Sequence, residues 1–358
     1  MMRHIGLGEH DKVVLGLSGG VDSTAAALLL KQQGYRVVCL YFDVLGRGKE
    51  SAEKARKAAR ALDLPFLYKD MSQIFEREVL SYFEREYLAG RTPNPCVQCN
   101  PTVKYRALME GARDLSAGHI ATGHYARVEK REKTGLYQIR MSANQKKDQS
   151  YVLWKLGQQE LSRVLFPLGE IRDKEEIRGL LRREGFENAE DKDSQEICFV
   201  EKGNYGDFLR QNRGYLPKPG FFTDKEGNVL GSHKGIVFYT VGQRKGLGIA
   251  LGKPAFVTGI DSEKNRVILG DNQDLFSDTI RAGSWHFPAG VPDENTPLQG
   301  RIRYSAPLSA CRLQKEKEQS FMVKFDQPQR APAPGQSLVL YDGEYLAGGG
   351  IIEKNCHA

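Results

Sequence analysis

Strand-like and helix-like patterns alternate along roughly the first 200 residues of the chain. Lys12–Leu17 is a short apolar run that leads into glycines, and Arg36–Phe42 is the next strand-like run. Between them, Val21–Gln33 is a continuous Ala/Leu segment, with Gly34 where a helix C-cap is expected. Ser51–Leu62 carries a second apolar helical face. This alternation predicts an α/β domain built on a parallel sheet.

A longer amphipathic segment comes next, followed by a segment rich in proline and cysteine. Ser72 is expected to cap a helix whose apolar face repeats every fourth residue: Phe75, Val79, Phe83 and Tyr87. Gly90 should end this helix. The sequence RTPNPCVQCNPT, residues 91–102, contains three prolines and therefore predicts a loop. Beyond it the alternation resumes, with Asp173–Gly185 as a further helix.

Glycine-punctuated β patterns take over near residue 220. IVFYTVGQ, GRIRYSA, SFMVKF and SLVLYDG each predict a strand, while AFVTGI and RVILG form a hairpin around DSEKN. We therefore predict an α/β catalytic domain over residues 1–203, a small central linker domain over 204–277 and a C-terminal β-barrel over 278–358. These bounds follow from the change in pattern alone.

Composition narrows the class of protein. The chain is 40% hydrophobic and 27% charged, without an apolar run long enough for a membrane helix or a signal peptide, so we expect a cytoplasmic protein with no membrane partner. Its net charge of +7 weakly favours an acidic partner such as nucleic acid. Six scattered cysteines are too few for a disulfide scaffold.

The most specific motif is LSGGVDS, residues 17–23, between a predicted strand and a predicted helix. Two adjacent glycines allow a phosphate to approach the backbone, and the helix N-terminus favours an anion. Asp22 is suited to hold Mg²⁺, an ion that bridges phosphate oxygens. A glycine-rich turn with Asp22 as a cap is the alternative, but the whole string resembles the pyrophosphate loop of the PP-loop ATPases. Members of that family cleave ATP between its α- and β-phosphates to adenylate a carbonyl oxygen.

Three cysteines are candidates for chemistry. Cys96 and Cys99 form a C-x-x-C pair, and Cys198 lies about a hundred residues further on. They could bind zinc, although no second ligand pair stands out. They could also transfer sulfur as thiols, or hold an iron–sulfur cluster by three thiolates. Cys39 is expected in the core, and no role is assigned to it or to two others, Cys311 and Cys356.

These motifs occur together in one known family. SGGVDS, RTPNPCVQCNPTVKY, ATGHYAR, KKDQSYVLW, FPLGEIRDKEEIR, DSQEICFV and YTVGQRKGLGI follow one another as in the bacterial tRNA-specific 2-thiouridylases, which the chain resembles over essentially its whole length. The resemblance implies a Rossmann-like PP-loop ATPase domain, a small central domain and a β-barrel. It also implies sulfur insertion at the 2-position of the wobble uridine in Lys, Glu and Gln tRNAs.

The resemblance also implies roles for individual residues. ATP would lie against Gly16, Leu17, Ser18, Gly19, Gly20, Val21, Asp22, Ser23, Phe42 and Gly123. The flipped target base would face Asn94, Pro95 and Cys96. Other tRNA contacts would come from His124, Lys147, Asp148, Gln149, Arg303, Tyr304 and Gln336. Cys99 resembles the nucleophile and Cys198 the persulfide carrier, and with Asp22 they complete the catalytic set.

The chain departs from the family pattern at Cys96, where many members have aspartate. Two sulfur routes therefore stay open: a persulfide on Cys198, supplied by a cysteine desulfurase or a sulfur-relay protein, or a 4Fe–4S cluster held by Cys96, Cys99 and Cys198. Glu196 and its neighbour Gln195 also replace a more usual Thr-Gly. The competing functions are a PP-loop enzyme that acts on another RNA position or acceptor, and a non-catalytic RNA-binding protein.

Overall fold

A computed structural model describes residues 11–132, 134–191, 197–200, 205–317 and 320–354. The chain divides into two compact units. One takes in the described parts of Met1–Val79, Cys96–Gln195 and Glu344–Leu346. The other takes in Leu80–Pro95 and the described parts of Glu196–Gly343 and Ala347–Ala358. The predicted bounds 1–203, 204–277 and 278–358 stay a prediction, because these units do not follow them.

The first unit is built on a five-stranded parallel sheet with the order β3-β2-β1-β4-β7. Its strands, with those of an antiparallel hairpin, are β1 (Lys12–Gly16), β2 (Arg36–Asp43), β3 (Phe66–Asp70), β4 (His119–Ala121), β5 (Arg127–Lys130), β6 (Tyr137–Arg140) and β7 (Val164–Leu165). Strand β1 is central, and its Val13, Val14 and Leu15 are fully buried. The predicted parallel α/β sheet is confirmed.

Helices cover the sheet and carry the links between its strands. The α-helices of the described residues are α1 (Val21–Gln32), α2 (Glu53–Ala61), α3 (Ser72–Phe75), α4 (Ser81–Leu88), α5 (Pro95–Cys99), α6 (Tyr105–Asp114), α7 (Gln158–Leu161), α8 (Lys174–Arg183) and α9 (Tyr205–Asn212). The predicted stripe of Phe75, Val79, Phe83 and Tyr87 is buried. The predicted cap is wrong: Met71 is the N-cap and Ser72 is the first helical residue.

The proline-rich segment is irregular over residues 91–94 and helical from Pro95 onward, so the predicted loop is wrong for its second part. Pro95 begins α5, at a position where a missing N–H costs no hydrogen bond. Pro101 lies inside the π-helical turn Asn100–Lys104. A proline removes one backbone donor, and a π turn is a local adjustment that accommodates such a break. Propensity alone therefore underestimated how far the helix continues past the second cysteine.

The second unit contains two β structures. Its strands are β8 (Gly220–Thr223), β9 (Val229–His233), β10 (Phe256–Asp261), β11 (Arg266–Gly270), β12 (Phe276–His286), β13 (Leu298–Arg301), β14 (Ser309–Lys317), β15 (Ser320–Arg330), β16 (Ser337–Asp342) and β17 (Tyr345–Ile352). Strands β8 to β11 form a small sheet with the order β10-β11-β8-β9. Six strands, β12-β15-β14-β13-β16-β17, form a barrel that closes where β12 pairs with β17. The predicted small domain and C-terminal barrel are thus confirmed.

Two of the predicted strands are wrong in detail. In IVFYTVGQ, Ile236–Phe238 is a short 3-10 turn and the rest is irregular. In GRIRYSA, strand β13 ends at Arg301 and the remaining residues bend away. Both segments keep buried apolar residues, so the pattern reported burial correctly but not backbone conformation. None of the helices among the described residues is long and apolar enough to cross a membrane.

Candidate functional site

The glycine-rich loop lies between the C-terminal end of β1 and the N-terminus of α1. Gly19 has a φ of +80°, and a Cβ there would lie 2.7 Å from the backbone nitrogen of Ala55. Only glycine fits that position. The hydroxyls of Ser18 and Ser23 lie 3.1 Å apart and hold the two sides of the loop together. The loop is therefore tightly folded in front of a helix N-terminus, which favours an anion.

Asp22, in the first turn of α1, has two partners from distant parts of the chain. The Tyr125 hydroxyl donates to its Oδ1 over 3.0 Å, and the Lys174 ammonium lies 2.9 Å from the same oxygen. Asn188 supports the loop next to them, because its amide donates to the Gly19 carbonyl over 2.8 Å. The Asp22 carboxylate is thus held by a cation and a hydroxyl at the edge of the loop.

A cleft of about 230 Å³ opens beside this loop. It is lined by Gly16, Leu17, Ser18, Asp22, Ser23, Tyr41, Phe42, Lys104, Thr122, Gly123, His124 and Gln149. The structure therefore brings most of the residues expected at ATP together with two expected at tRNA. Gly16 and Gly123 keep the cleft open: a Cβ on Gly16 would lie 3.1 Å from the Phe42 ring, and one on Gly123 would lie 2.9 Å from the Asp22 carbonyl carbon.

His124 forms one wall of the cleft and is neutral at physiological pH. Burial of its ring, with a smaller effect from the nearby Lys104 ammonium, lowers the pKa of His124 to about 3. Its Nδ1 lies 2.8 Å from the Thr122 hydroxyl, and its ring stacks on that of Tyr105. A neutral imidazole offers one donor and one acceptor to a ligand but carries no charge.

The segment Lys147–Gln149 is tied to the same wall. The backbone N–H of Tyr125 donates to Gln149 Oε1 over 2.9 Å, and the Gln149 N–H donates back to the Tyr125 carbonyl over 2.8 Å. Asp148 is 3% exposed and accepts from the Ser142 N–H and the Ser150 hydroxyl. The Asp148 carboxylate therefore holds the segment in place, while Lys147 and Gln149 are more accessible.

Helix α5 carries the C-x-x-C pair three residues apart, so both side chains lie near one face of the helix. Cys96 is partly exposed and Cys99 is buried. The following turn is anchored to the segment after Gln149, since the Asn100 amide donates to the Val152 carbonyl over 2.8 Å. The Lys155 ammonium adds a 3.0 Å contact to Gln98 Oε1. Hydrogen bonds therefore connect the helix that carries the cysteines to the segment that follows Lys147–Gln149.

The other cysteines lie elsewhere. Cys198 belongs to the second unit and is exposed. Burial raises the pKa of Cys39 to about 12, and burial with the nearby Asp326 raises that of Cys311 to about 12, so both are inert thiols at neutral pH. Cys356, Gln195 and Glu196 lie outside the described residues. Where the chain is described, no three His, Cys, Asp or Glu side chains are grouped to hold a metal ion.

The remaining predicted contact residues belong to the second unit. Arg303 donates to the carbonyls of Val241 and Ala331, both over 2.9 Å, so its guanidinium helps to hold the barrel surface. Tyr304 beside it is 43% exposed. The Gln336 amide donates to the Thr92 carbonyl over 2.8 Å, in the irregular segment that leads to Asn94 and the buried Pro95. The roles of all these residues stay predictions.

Sequence reasoning missed several residues of the site. Tyr41, Lys104 and Thr122 line the cleft, while Tyr125 and Lys174 hold Asp22. All but Tyr41 lie inside motifs that carried the family resemblance: RTPNPCVQCNPTVKY, ATGHYAR and FPLGEIRDKEEIR. The motifs therefore indicated these segments, but their spacing along the chain did not predict that Tyr125 and Lys174 contact Asp22.

Comparison with known proteins identifies the family. Residues 11–202 match the tRNA methyl transferase HUP domain, 206–271 the tRNA methyl transferase PRC-barrel domain and 277–352 the aminomethyltransferase beta-barrel domain. The tRNA-specific 2-thiouridylase of Clostridioides difficile (strain 630) is 42% identical, over 96% of this chain and 98% of the relative. Those of Clostridium acetobutylicum and Syntrophomonas wolfei are 43% and 44% identical, over 96% and 95% of this chain and 99% of each relative.

With a HUP-type α/β domain, a small β domain and a closed barrel all matched, the fold is that of an enzyme of nucleotide-dependent tRNA modification. The chain belongs to the tRNA-specific 2-thiouridylase family. Among solved structures, a 4-thiouridine synthetase–RNA complex with bound ATP aligns with 54% of this chain and 46% of that one, at a TM-score of 0.35 and 20% identity. So remote a likeness has no bearing on the site.

Proposed function

We propose that the chain uses ATP to adenylate the 2-oxygen of the wobble uridine in Lys, Glu and Gln tRNAs, and then replaces that oxygen with sulfur. The observation that supports this most directly is the cleft beside the glycine-rich loop. It joins residues suited to hold a nucleotide phosphate with His124 and Gln149, which are suited to hydrogen-bond a base. The membership of the family points to the same reaction.

In the first step the phosphate loop binds ATP. The N–H groups at the start of α1 and the hydroxyls of Ser18 and Ser23 would bind the phosphates, and the adenine would lie against Phe42, which lines the cleft. Bound Mg²⁺ would neutralise charge on the phosphate oxygens. Asp22 offers the carboxylate ligand that Mg²⁺ prefers, and its side chain is 37% exposed, so it can exchange its present partners.

The uracil must leave its stack to enter the cleft. Its 2-oxygen then attacks the α-phosphorus, the bond from that phosphorus to the bridging oxygen breaks, and the ring loses its N3 proton to water. The neutral His124 can hydrogen-bond the base without competing for a proton, because its pKa is far below neutrality. AMP attached at the 2-oxygen is a far better leaving group than oxygen alone.

The second step uses the cysteines. A cysteine desulfurase or sulfur-relay protein would load Cys198 with one sulfane sulfur, and the exposure of Cys198 suits delivery by another protein. The terminal persulfide sulfur attacks carbon 2 and AMP leaves with the C–O electron pair. Cys99 then attacks the Cys198 sulfur, forming a Cys99–Cys198 disulfide and releasing 2-thiouridine. A thiol reductant must restore both cysteines.

The 4Fe–4S alternative needs a third thiolate beside the pair on α5. The described residues do not form such a three-ligand group, so we derive no step through a cluster. It stays a prediction that depends on Cys96, and it is separable from the persulfide route by experiment.

The test combines two readouts on purified protein with ATP, tRNA, cysteine and a cysteine desulfurase. Pyrophosphate release reports adenylation, and mass spectrometry of digested tRNA reports 2-thiouridine. Cys99→Ser and Cys198→Ser should keep pyrophosphate release and lose 2-thiouridine, and tRNA with cytidine at the wobble position should give neither product. Sulfur found at another uridine, or pyrophosphate release independent of the wobble base, would contradict the proposal.

A further inference from the structure

Lys174 contacts the carboxylate of the phosphate loop although it lies 152 residues away in the chain. We propose that Lys174 is a catalytic residue that binds the departing pyrophosphate. This inference rests on the proposed cleavage of ATP between its α- and β-phosphates. It gives a role to the motif FPLGEIRDKEEIR, whose lysine the mechanism above leaves unused.

The geometry places the ammonium at the mouth of the loop. Its Nζ lies 2.9 Å from Asp22 Oδ1 and 3.2 Å from Asp22 Oδ2, so it bridges both carboxylate oxygens. The Lys174 side chain is 12% exposed, whereas that of Lys54, the lysine behind the loop, is 56% exposed and paired with Asp191. Lys174 is therefore a largely buried cation in direct contact with a residue of the glycine-rich loop.

Lys174 is also held on a rigid element. It is the first residue of α8, which begins with a capping box formed by Asp173 and Glu176. Ile177 and Leu181 of α8 are buried in the same hydrophobic cluster as the apolar face of α1. The helix that carries Lys174 and the helix that carries Asp22 therefore share one core, which fixes the distance between the two side chains.

The opposite charges of Asp22 and Lys174 explain how Lys174 could change partner during catalysis. Without nucleotide, Asp22 and Lys174 neutralise each other. Mg²⁺ held by Asp22 would balance the carboxylate charge, and the Lys174 ammonium could then bind the nearest phosphate oxygens. As the bond between the α-phosphorus and the bridging oxygen breaks, its electron pair stays on pyrophosphate. A nearby ammonium stabilises that charge, and it acts most strongly in a water-poor site.

The test measures binding of ATP, inorganic pyrophosphate and AMP, each with Mg²⁺, to the full chain by isothermal titration calorimetry. Lys174→Gln should weaken ATP and pyrophosphate by about 10- to 100-fold, the range of one charge-assisted hydrogen bond, and change AMP by less than about twofold. Lys174→Arg should retain part of the pyrophosphate affinity. Arg183→Gln removes a positive charge from the exposed end of the same helix and should change none of the three affinities.

Each outcome separates the inference from the proposed function. If the wild-type protein binds neither ATP nor pyrophosphate, the proposed function fails. If the wild type binds both, the inference fails when Lys174→Gln binds pyrophosphate as tightly as the wild type does, or when its affinity for AMP falls as much as its affinity for pyrophosphate. Lys174 would then only balance the charge of Asp22. Should Lys174→Gln not fold, Asp22→Asn with Lys174→Gln removes both charges. Comparison of that double variant with Asp22→Asn alone then gives the effect of the lysine, with the same expected and refuting results.

Discussion

Gly123→Ala tests whether the cleft needs close contact between the ATGHYAR segment and the first turn of α1. The added Cβ would lie 2.9 Å from the Asp22 carbonyl carbon, 3.0 Å from the Asp22 oxygen and 3.0 Å from the Ser23 nitrogen. Ordinary contact begins near 3.4 Å, so backbone must move by about 0.5 Å. Gly123 does not have a positive φ, so the cost comes from this contact and not from backbone strain.

Overpacking of this kind costs about 1–3 kcal/mol of stability, or a melting temperature lower by about 2–10 °C. Because Asp22 and Ser23 move with the contact, kcat/KM for ATP in pyrophosphate release should fall by about tenfold or more. Gly179→Ala is the matched control: the nearest atom to its Cβ is the flexible Arg183 side chain at 3.8 Å, and alanine should raise stability by about 0.5–1 kcal/mol. Equal kinetics for the two variants would refute the reasoning.

Four further variants and two changes of condition address other parts of the protein. Asp22→Ala should lower the rate of pyrophosphate release by about 100-fold or more, because a metal ligand is lost, while circular dichroism shows an unchanged fold. Near-normal adenylation by this variant would contradict the assignment of residues 17–23 as a phosphate loop. tRNA binding should weaken steeply with salt, and Lys147→Glu should reduce thiolation more than it reduces ATP affinity; salt-independent binding would contradict a basic docking surface. Charge reversal at Arg303 should instead lower the stability of the protein, because the Arg303 guanidinium donates to two carbonyls. NMR should show a neutral His124 between about pH 8 and 5, and a His124 resonance that titrates near pH 6.5 would contradict its burial. Because the pKa of His124 is lowered in the folded protein, the stability that its burial contributes is present above about pH 6.5 and is lost as the pH falls towards 3. Cys96→Asp should keep most thiolation under aerobic, reducing conditions if sulfur moves as a persulfide, and should lose activity together with bound iron if the thiolates hold a cluster, since carboxylate is a poorer iron–sulfur ligand.

The strands and helices of the α/β unit were predictable because each has a strong local signal. Apolar runs the length of one strand alternate with amphipathic segments, and Gly34 ends α1 with a φ of +88°, as its sequence position suggested. Local signals fail where backbone conformation depends on a neighbour. Ile236–Phe238 has the apolar, β-branched composition of a strand, yet it forms a 3-10 turn, because burial can be satisfied without joining a ladder.

The proline-rich segment shows the same limit at the candidate site. Three prolines argue against a helix, but Pro95 begins one and Pro101 lies in a π turn. The buried Asn100 holds that turn through the Val152 carbonyl, a contact 52 residues away in sequence. A tertiary hydrogen bond of this kind leaves no periodic signal in the sequence. The sequence therefore singled out Cys96 and Cys99 as candidates but did not predict that they lie on a helix.

The chemistry of the loop depends on distant residues in the same way. SGGVDS specifies a close turn, a helix N-terminus and a carboxylate, which are sufficient to predict a phosphate site. Whether that carboxylate is available to a metal is decided by Tyr125 and Lys174, which lie 103 and 152 residues further along the chain. Tyr125 in turn is bonded through its backbone to Gln149. The motif therefore sets the kind of ligand, and the fold sets the charge around it, because parallel strands and a shared core bring separate motifs to one edge of the sheet.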